Sequence, residues 1–307
     1  MKTHDTDPIR ITPDRLRAMP LPHPGEDADK DGRGRVLAVG GSLETPGALL
    51  LAGTAALRAG AGKLQMATCR SVAPHLGLAV PEALVAGLPE TPGGGIAAEA
   101  ADEICRRAGR CNTVLIGPGM MDQDAVAALT AKVVAGLEGG EPGGDPGPTL
   151  VIDAEALIGL DSLREALCRR KGRTIITPHA GEMAGLLDVS RESIEKDPAA
   201  AARRVADEFQ IVVALKGACT CIVEPGGRLW TYDDGNVGLA TSGSGDTLAG
   251  VIAGLSARGA EPAQAAAWGV FLHGEAGNRL AARRGMLGFL ARELLAEIPP
   301  ILAEMAR

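Results

Sequence analysis

Residues 35–68 read RVLAVGGSLETPGALLLAGTAALRAGAGKLQMAT, and their order decides the fold. Arg35-Val36-Leu37-Ala38-Val39 is a short apolar run of strand character, broken by the sharp-turn residues Gly40-Gly41-Ser42. Pro46 then opens an Ala/Leu-rich helix that runs to Arg58, with proline where its missing N–H costs nothing. Residues 63–68 form a second short strand. Strand, turn, helix and strand in this order make a βαβ unit, and such a crossover implies a parallel sheet.

The alternation continues outward from that unit. Residues 97–108 read as a helix and 113–116 as a strand ending in Gly117-Pro118-Gly119. A helix at 124–137 precedes a strand at 150–152 that ends in Asp153, and the strand 174–176 ends in Thr177-Pro178-His179. Helices at 181–187 and 199–208 lead to a strand at 211–215, then a hairpin of 219–223 and 229–232 around Pro225-Gly226-Gly227. Helices at 245–258 and 262–280, and a short one from Leu290, close the pattern. Short apolar strands without strict alternation suit a sheet buried on both faces. The expectation is one α/β sandwich domain over 35–307 with a mostly parallel central sheet. Residues 1–34, polar and Pro-rich, read as an N-terminal extension packing on that domain, with a short helix over 12–19 capped by Thr12. The stretch 136–148, GLEGGEPGGDPGP, lies inside the βα alternation and reads as a surface insertion, not a domain linker.

Composition excludes several classes. The 307 residues include 42 Gly and 20 Pro without a repeat period, which removes collagen and coiled coils. With 46% apolar and 22% charged residues the chain buries a sizeable core, so it is not disordered. A net charge of −7, with 3 Phe, 1 Tyr and 2 Trp, offers neither the basic surface nor the stacking aromatics of a nucleic-acid platform. The six cysteines form no C-x-x-C pair and match no zinc ligand set, as in a reducing compartment, and Cys219 and Cys221 read as core. The polar N-terminus lacks the apolar segment of a signal peptide, and no apolar run approaches the roughly 18 residues of a spanning helix. A cytoplasmic protein with no membrane and no nucleic-acid partner is expected.

Polar and Gly-rich groups recur where strands end: Gly40-Gly41-Ser42, Gly117-Pro118-Gly119, Asp153 and Pro178-His179-Ala180-Gly181-Glu182. Open α/β sheets bind ligands beyond the carboxyl ends of their strands, so these groups outline a cleft. The sharpest signal is Thr241-Ser242-Gly243-Ser244-Gly245-Asp246-Thr247. A Gly-Ser-Gly loop opening a helix presents free N–H groups at the positive end of the helix dipole, an anion hole suited to phosphate. Asp246 has an ordinary role available as a first-turn acid. It also stands where a carboxylate can take the proton of a hydroxyl that attacks a phosphoryl group held by the loop. No Lys follows the last glycine, so this is not a Walker A loop. Lys216, at the end of the strand 211–215 and followed by Gly217, either reaches a nucleotide phosphate or simply snorkels outward.

These residues carry a resemblance. The succession GRVLAVGGS, PGA, AALRAGAGK, PEALV, IGPGM, VIDAEAL, TIITPHAGE, LKGACT, GLATSGSGDTLAGVIAGL and FLHGEAG resembles the ADP/ATP-dependent NAD(P)H-hydrate dehydratase family, collinearly from about Arg33 to Pro299. That family belongs to the ribokinase-like superfamily, which implies a three-layer α/β/α sandwich. The resemblance implies a repair lyase that uses ADP or ATP to dehydrate the S epimer of hydrated NADH or NADPH. It phosphorylates the hydrate's hydroxyl and then expels phosphate, with Mg²⁺ accompanying the nucleotide. Carried over, Asp246 is the base and a hydrate contact, while Ala48, Gly119 and His179 are hydrate-binding positions. Lys216, Gly217, Ala218, Cys219 and Thr220 match a Lys-Gly-x-x-Thr nucleotide segment, and Gly243 and Gly245 serve the nucleotide phosphates. Glu182 is the candidate for holding Mg²⁺, through water, with Asp153 a second candidate. His273 reads as a packing or capping residue.

The chain departs from the family pattern at Ser242, Ala180 and Glu155, where Gly, Pro and Asp are usual. Ser242 adds a hydroxyl able to cap the helix, Ala180 loosens the turn after His179, and Glu155 adds a methylene near the cleft wall. The 34 residues before the first long strand are too few for the N-terminal epimerase domain of many bacterial relatives, so a separate epimerase is expected to serve the R epimer. The family also implies a homotetramer. A ribokinase-like kinase of a vitamin-precursor alcohol and a non-catalytic nucleotide sensor are the alternatives, and an intact Asp246 speaks against the sensor.

Overall fold

The computed structural model describes residues 7–23, 25, 29–137 and 147–307. Its strands are β1 (Ile9–Arg10), β2 (Arg35–Val39), β3 (Lys63–Cys69), β4 (Ala83–Leu88), β5 (Thr113–Ile116), β6 (Thr149–Ile152), β7 (Thr174–Ile176), β8 (Val212–Leu215), β9 (Thr220–Val223) and β10 (Leu229–Tyr232). The helices are α1 (Pro13–Arg17), α2 (Pro46–Arg58), α3 (Ala73–Ala79), α4 (Ala101–Ala108), α5 (Gln123–Gly136), α6 (Arg164–Arg169), α7 (Ala180–Leu187), α8 (Arg191–Lys196), α9 (Pro198–Phe209), α10 (Ser244–Ala257), α11 (Pro262–Arg284) and α12 (Ala291–Met305).

All ten strands join one sheet in the order β1-β10-β9-β8-β7-β6-β5-β2-β3-β4. From β8 through β4 every neighbouring pair is parallel, and β9 runs antiparallel to both β8 and β10. Helices α2, α10, α11 and α12 pack together as one layer, and α4, α5, α6 and α9 form the other. Val36 to Val39, Val114 to Ile116, Leu150 to Ile152 and Val213 to Ala214 are completely or almost completely buried between the layers, as continuous apolar runs in a two-sided sheet require. The close approach of α10 to α2 depends on Gly250, where an added Cβ would stand 2.1 Å from Ala52 O. That contact helps set where the amino end of α10 lies.

Some elements differ from expectation. β1 pairs with Trp230 and Thr231 of β10, tying the N-terminal segment to the far edge of the sheet. Next to it Thr12 caps α1 as expected, its hydroxyl accepting from Arg15 N–H, and Ile11 and Leu16 are buried. α12 is much longer than the short helix expected, running fifteen residues through Pro299 and Pro300. Its buried face of Leu294, Ile298, Ile301 and Met305 holds it in place despite the lost N–H donors. Cys221 lies buried in β9, but Cys219 stands just before the strand and is exposed, so only one of the pair belongs to the core. Of the insertion read at 136–148, residues 138–146 lie outside the described residues. Among the described residues no helix is long and apolar enough to cross a membrane.

Candidate active site

Five neighbouring parallel strands, β8, β7, β6, β5 and β2, end on one edge of the sheet, and their carboxyl ends carry Lys216, Thr177-Pro178-His179, Asp153, Gly117-Pro118-Gly119 and Gly40-Gly41-Ser42. Two of these loops are laced together. Gly41 N–H donates to Pro118 O at 2.7 Å, and Thr45 Oγ1 donates to Gly119 O at 2.8 Å. Gly119 adopts a left-handed φ of 67° and lies so close to α2 that a Cβ there would meet Ala48 Cβ at 2.7 Å. Ala48 and Gly119, both predicted to contact the hydrate, therefore adjoin on one wall.

The centre of the cleft is charged. Asp153 is buried, and its Oδ1 accepts from Thr177 Oγ1 at 2.6 Å and from Lys216 Nζ at 2.9 Å. The following residue, Ala154, holds a φ of 52°, a strained backbone of the kind that collects at functional sites. Lys216 Nζ also lies 4.0 Å from Glu182 Oε2. Burial pulls the Lys216 ammonium down, but the charges of Asp153 and Glu182 outweigh it and hold the group above its ordinary value. Lys216 is thus a fixed cation, not a side chain trailing into solvent. The segment Gly217-Ala218-Cys219 that follows is exposed and forms a rim leading to Thr220.

His179 is the N-cap of α7. Its Nδ1 accepts from Glu182 N–H at 3.0 Å, while Glu182 Oε2 accepts from His179 N–H at 2.7 Å, a reciprocal capping box. The cap braces the turn in which Ala180 stands. With Nδ1 accepting, Nε2 lies 3.5 Å from Glu182 Oε1, and the ring as a whole stays exposed at the mouth of the cleft. Glu182 is accordingly engaged in the cap as well as facing Lys216.

The amino end of α10 closes the site. Gly243, with a φ of 85°, is the N-cap; Ser242 is exposed and makes no capping bond, contrary to its expected role. Ser244 N–H donates to Thr241 O at 3.2 Å and Thr247 N–H to Gly243 O at 3.1 Å. Of the first-turn donors, those of Gly245 and Asp246 are left over for a ligand. A Cβ on Gly245 would stand 3.4 Å from Lys216 Nζ, so the ammonium and the helix dipole address the same space. Burial, and then the charge of Asp153, push the Asp246 carboxyl up to about 6, with Lys216 acting in the opposite sense. At neutral pH most of it is ionised, yet it is a far better proton acceptor than an ordinary aspartate.

His273, read as packing or capping, is partly buried on α11 with Nε2 2.8 Å from Ser244 Oγ. The sequence held no signal for that partner, nor for Thr177 as the second donor to Asp153. Among the described residues no group of three or more His, Cys, Asp and Glu is arranged to hold a metal ion. Asp153 and Glu182, both facing Lys216, are carboxylates of the kind that hold Mg²⁺ together with water and substrate phosphates.

The sequence model of the NAD(P)H-hydrate dehydratase family matches residues 36–300. The chain belongs to that family. The matched span takes in both halves of the site, and membership makes the chain an enzyme of the lyase class. An ADP-dependent (S)-NAD(P)H-hydrate dehydratase from Xanthomonas campestris pv. campestris is 48% identical over 297 residues, 97% of each chain. The crystal structure of the ADP/ATP-dependent NAD(P)H-hydrate dehydratase from Bacillus subtilis, co-crystallized with ATP/Mg²⁺, superposes with a TM-score of 0.78 at 28% identity, covering 99% of this chain and 100% of that one. A ribokinase-like superfamily protein from Enterococcus faecalis gives a TM-score of 0.81 at 23% identity over 99% of both chains. The fold of this dehydratase family member is therefore ribokinase-like, with the expected mostly parallel central sheet between two helical layers.

Proposed function

We propose that the chain uses ADP or ATP to dehydrate the S epimer of hydrated NADH or NADPH, restoring the dihydronicotinamide. The observation that carries the reading is the convergence of a fixed ammonium, a free helix amino end and a raised carboxylate beside the Gly119–Ala48 wall. A hydroxyl is a poor leaving group and phosphate a good one, so phosphorylation before elimination lowers the barrier. Asp246 takes the hydroxyl proton as that oxygen bonds to the terminal phosphorus, and the bond from phosphorus to the departing nucleotide breaks. Lys216 and the N–H groups of Gly245 and Asp246 meet the charge that develops on the phosphoryl oxygens. Cleavage of the carbon–oxygen bond then releases phosphate, and loss of the neighbouring carbon-bound proton restores the double bond.

In this reading Ala48, Gly119 and His179 line the hydrate side, and Lys216, Gly217, Ala218, Cys219, Thr220, Gly243 and Gly245 line the nucleotide side. Mg²⁺ neutralises nucleotide phosphate charge when bound, and Glu182 would hold it through water, with Asp153 beside it. The reading takes 35–307 as one domain with 1–34 as an extension, and the chain as a cytoplasmic homotetramer paired in function with an epimerase of the hydrate.

The test supplies hydrated NADH with ADP or ATP and Mg²⁺, and follows the near-ultraviolet absorbance of the dihydronicotinamide. Recovery that depends on nucleotide is expected. Absence of recovery with either nucleotide, from folded protein, would overturn the proposal. Accumulation of a stable phosphorylated hydrate would reduce the chain to a kinase.

A further inference from the structure

We infer that His273 is a positioning residue for the anion-binding loop: by holding Ser244 it sets where the N–H groups of Gly245 and Asp246 and the Asp246 carboxylate point. The inference rests on the function proposed above. His273 Nε2 lies 2.8 Å from Ser244 Oγ, joining α11 to the first residue of α10. Ser244 is buried, so its end of the bond is shielded from water.

The loop needs such a tie. Gly243 sits in the left-handed region, and both Gly243 and Gly245 lack a side chain that could anchor them. Ser242 is exposed and makes no cap. Ser244 is therefore the side chain through which the Gly243–Gly245 segment is fastened to the body of the domain, and it stands two residues before the base. Thr247 Oγ1 contributes a bond only within the same turn, to Gly243 O at 3.1 Å.

Histidine suits the task because its bond survives without a charge. Burial drives its imidazole down to about 4 against the opposing pull of a bond to the Ser244 backbone, with the charge of Lys216 adding to the fall, so it is neutral at working pH. A lysine or arginine in its place would add a second buried cation near Lys216 and compete for the anion the loop is shaped to bind.

The test uses the intact chain with four variants: His273→Leu, His273→Gln, Ser244→Ala and the double variant Ser244→Ala/His273→Leu. Rates are measured with hydrated NADH, ADP and Mg²⁺, normalised to the folded fraction from thermal unfolding. His273→Leu is expected to lower kcat about 10- to 100-fold, as for a displacement of reacting groups by about 1 Å. It should raise KM for ADP while leaving KM for hydrated NADH within about twofold. His273→Gln, which keeps a hydrogen-bonding atom, should recover most of the lost kcat. The double variant should lose no more than the worse single variant, because both remove one interaction.

Parent-like kcat per folded molecule in His273→Leu, or losses that multiply in the double variant, would overturn the inference. Should His273→Leu fail to fold, Ser244→Ala decides alone on the same kcat criterion. If the unaltered chain shows no dehydration, the functional reading fails and the inference is judged by ADP binding. A loss of about two- to tenfold in His273→Leu, restored in His273→Gln, then supports it, and unchanged affinity overturns it.

Discussion

Replacing Asp246 by Asn removes the charge and keeps the shape, and the consequences for stability and catalysis should run in opposite directions. The carboxyl is raised from its ordinary 3.8 to about 6, chiefly by burial and then by Asp153. Below pH 3.8 it is neutral in both folded and unfolded chains and costs nothing. Between the two values the unfolded chain ionises first, so stability falls as pH rises, and above pH 6 the full penalty is present. Each pH unit in that window is worth about 1.4 kcal/mol, which gives a penalty of about 3 kcal/mol at pH 8 and about 1.5 kcal/mol at pH 5. Asn escapes it. For a chain of this size each kcal/mol moves Tm by roughly 2 °C. Asp246→Asn without nucleotide should therefore melt roughly 6 °C above the parent at pH 8 and roughly 3 °C above it at pH 5, by calorimetry or circular dichroism. Turnover should fall about 10²- to 10⁴-fold, the range for loss of a positioned base, while nucleotide still binds. An Asn variant no more stable than the parent at pH 8, or a gain that does not shrink toward pH 5, would refute the charge-burial reasoning. Near-parent turnover would remove Asp246 as the base.

Lys216→Ala leaves the buried Asp153 carboxylate with the Thr177 hydroxyl but without its cation and should destabilise the fold by about 3 to 5 kcal/mol, measured by urea unfolding. Adding Asp153→Asn should return most of that stability but none of the nucleotide affinity; recovery of both would show that Lys216 serves the fold alone. Gly119→Ala and Gly245→Ala should separate the two half-sites. At Gly119 a Cβ meets Thr45 O at 2.5 Å at a φ of 67°, so Ala should cost about 1 to 3 kcal/mol and raise KM for hydrated NADH. At Gly245 the Cβ has room, 3.4 Å from Lys216 Nζ, so stability should hold while KM for the nucleotide rises; a matching rise for hydrated NADH would contradict the division.

Which parts of this molecule can be read from its sequence follows from how far each feature depends on remote neighbours. β5 and β7 form over the residues expected of them because strands buried on both faces must be continuously apolar, and their neighbours only confirm a local pattern. β4, at the sheet edge, alternates between exposed and buried, and β1 is two residues whose pairing partner is Trp230-Thr231, so neither had a local signal. The site divides along the same line. Gly245 and Asp246 were legible because a helix start and its first turn lie within one short stretch of chain. Lys216 alone was undecided between reaching a phosphate and trailing into solvent. What resolves its state is Asp153, 63 residues away in sequence and two strands away in the sheet, brought within 2.9 Å only because β7 separates β6 from β8. Thr177 completes that pair for the same reason, and His273 reaches Ser244 only through the packing of α11 on α10. Backbone chemistry is thus visible before the fold is known, and charge becomes visible after it. A lone cation or carboxylate in a sequence acquires its protonation behaviour from strand order, and strand order is what the linear pattern of apolar runs does not encode.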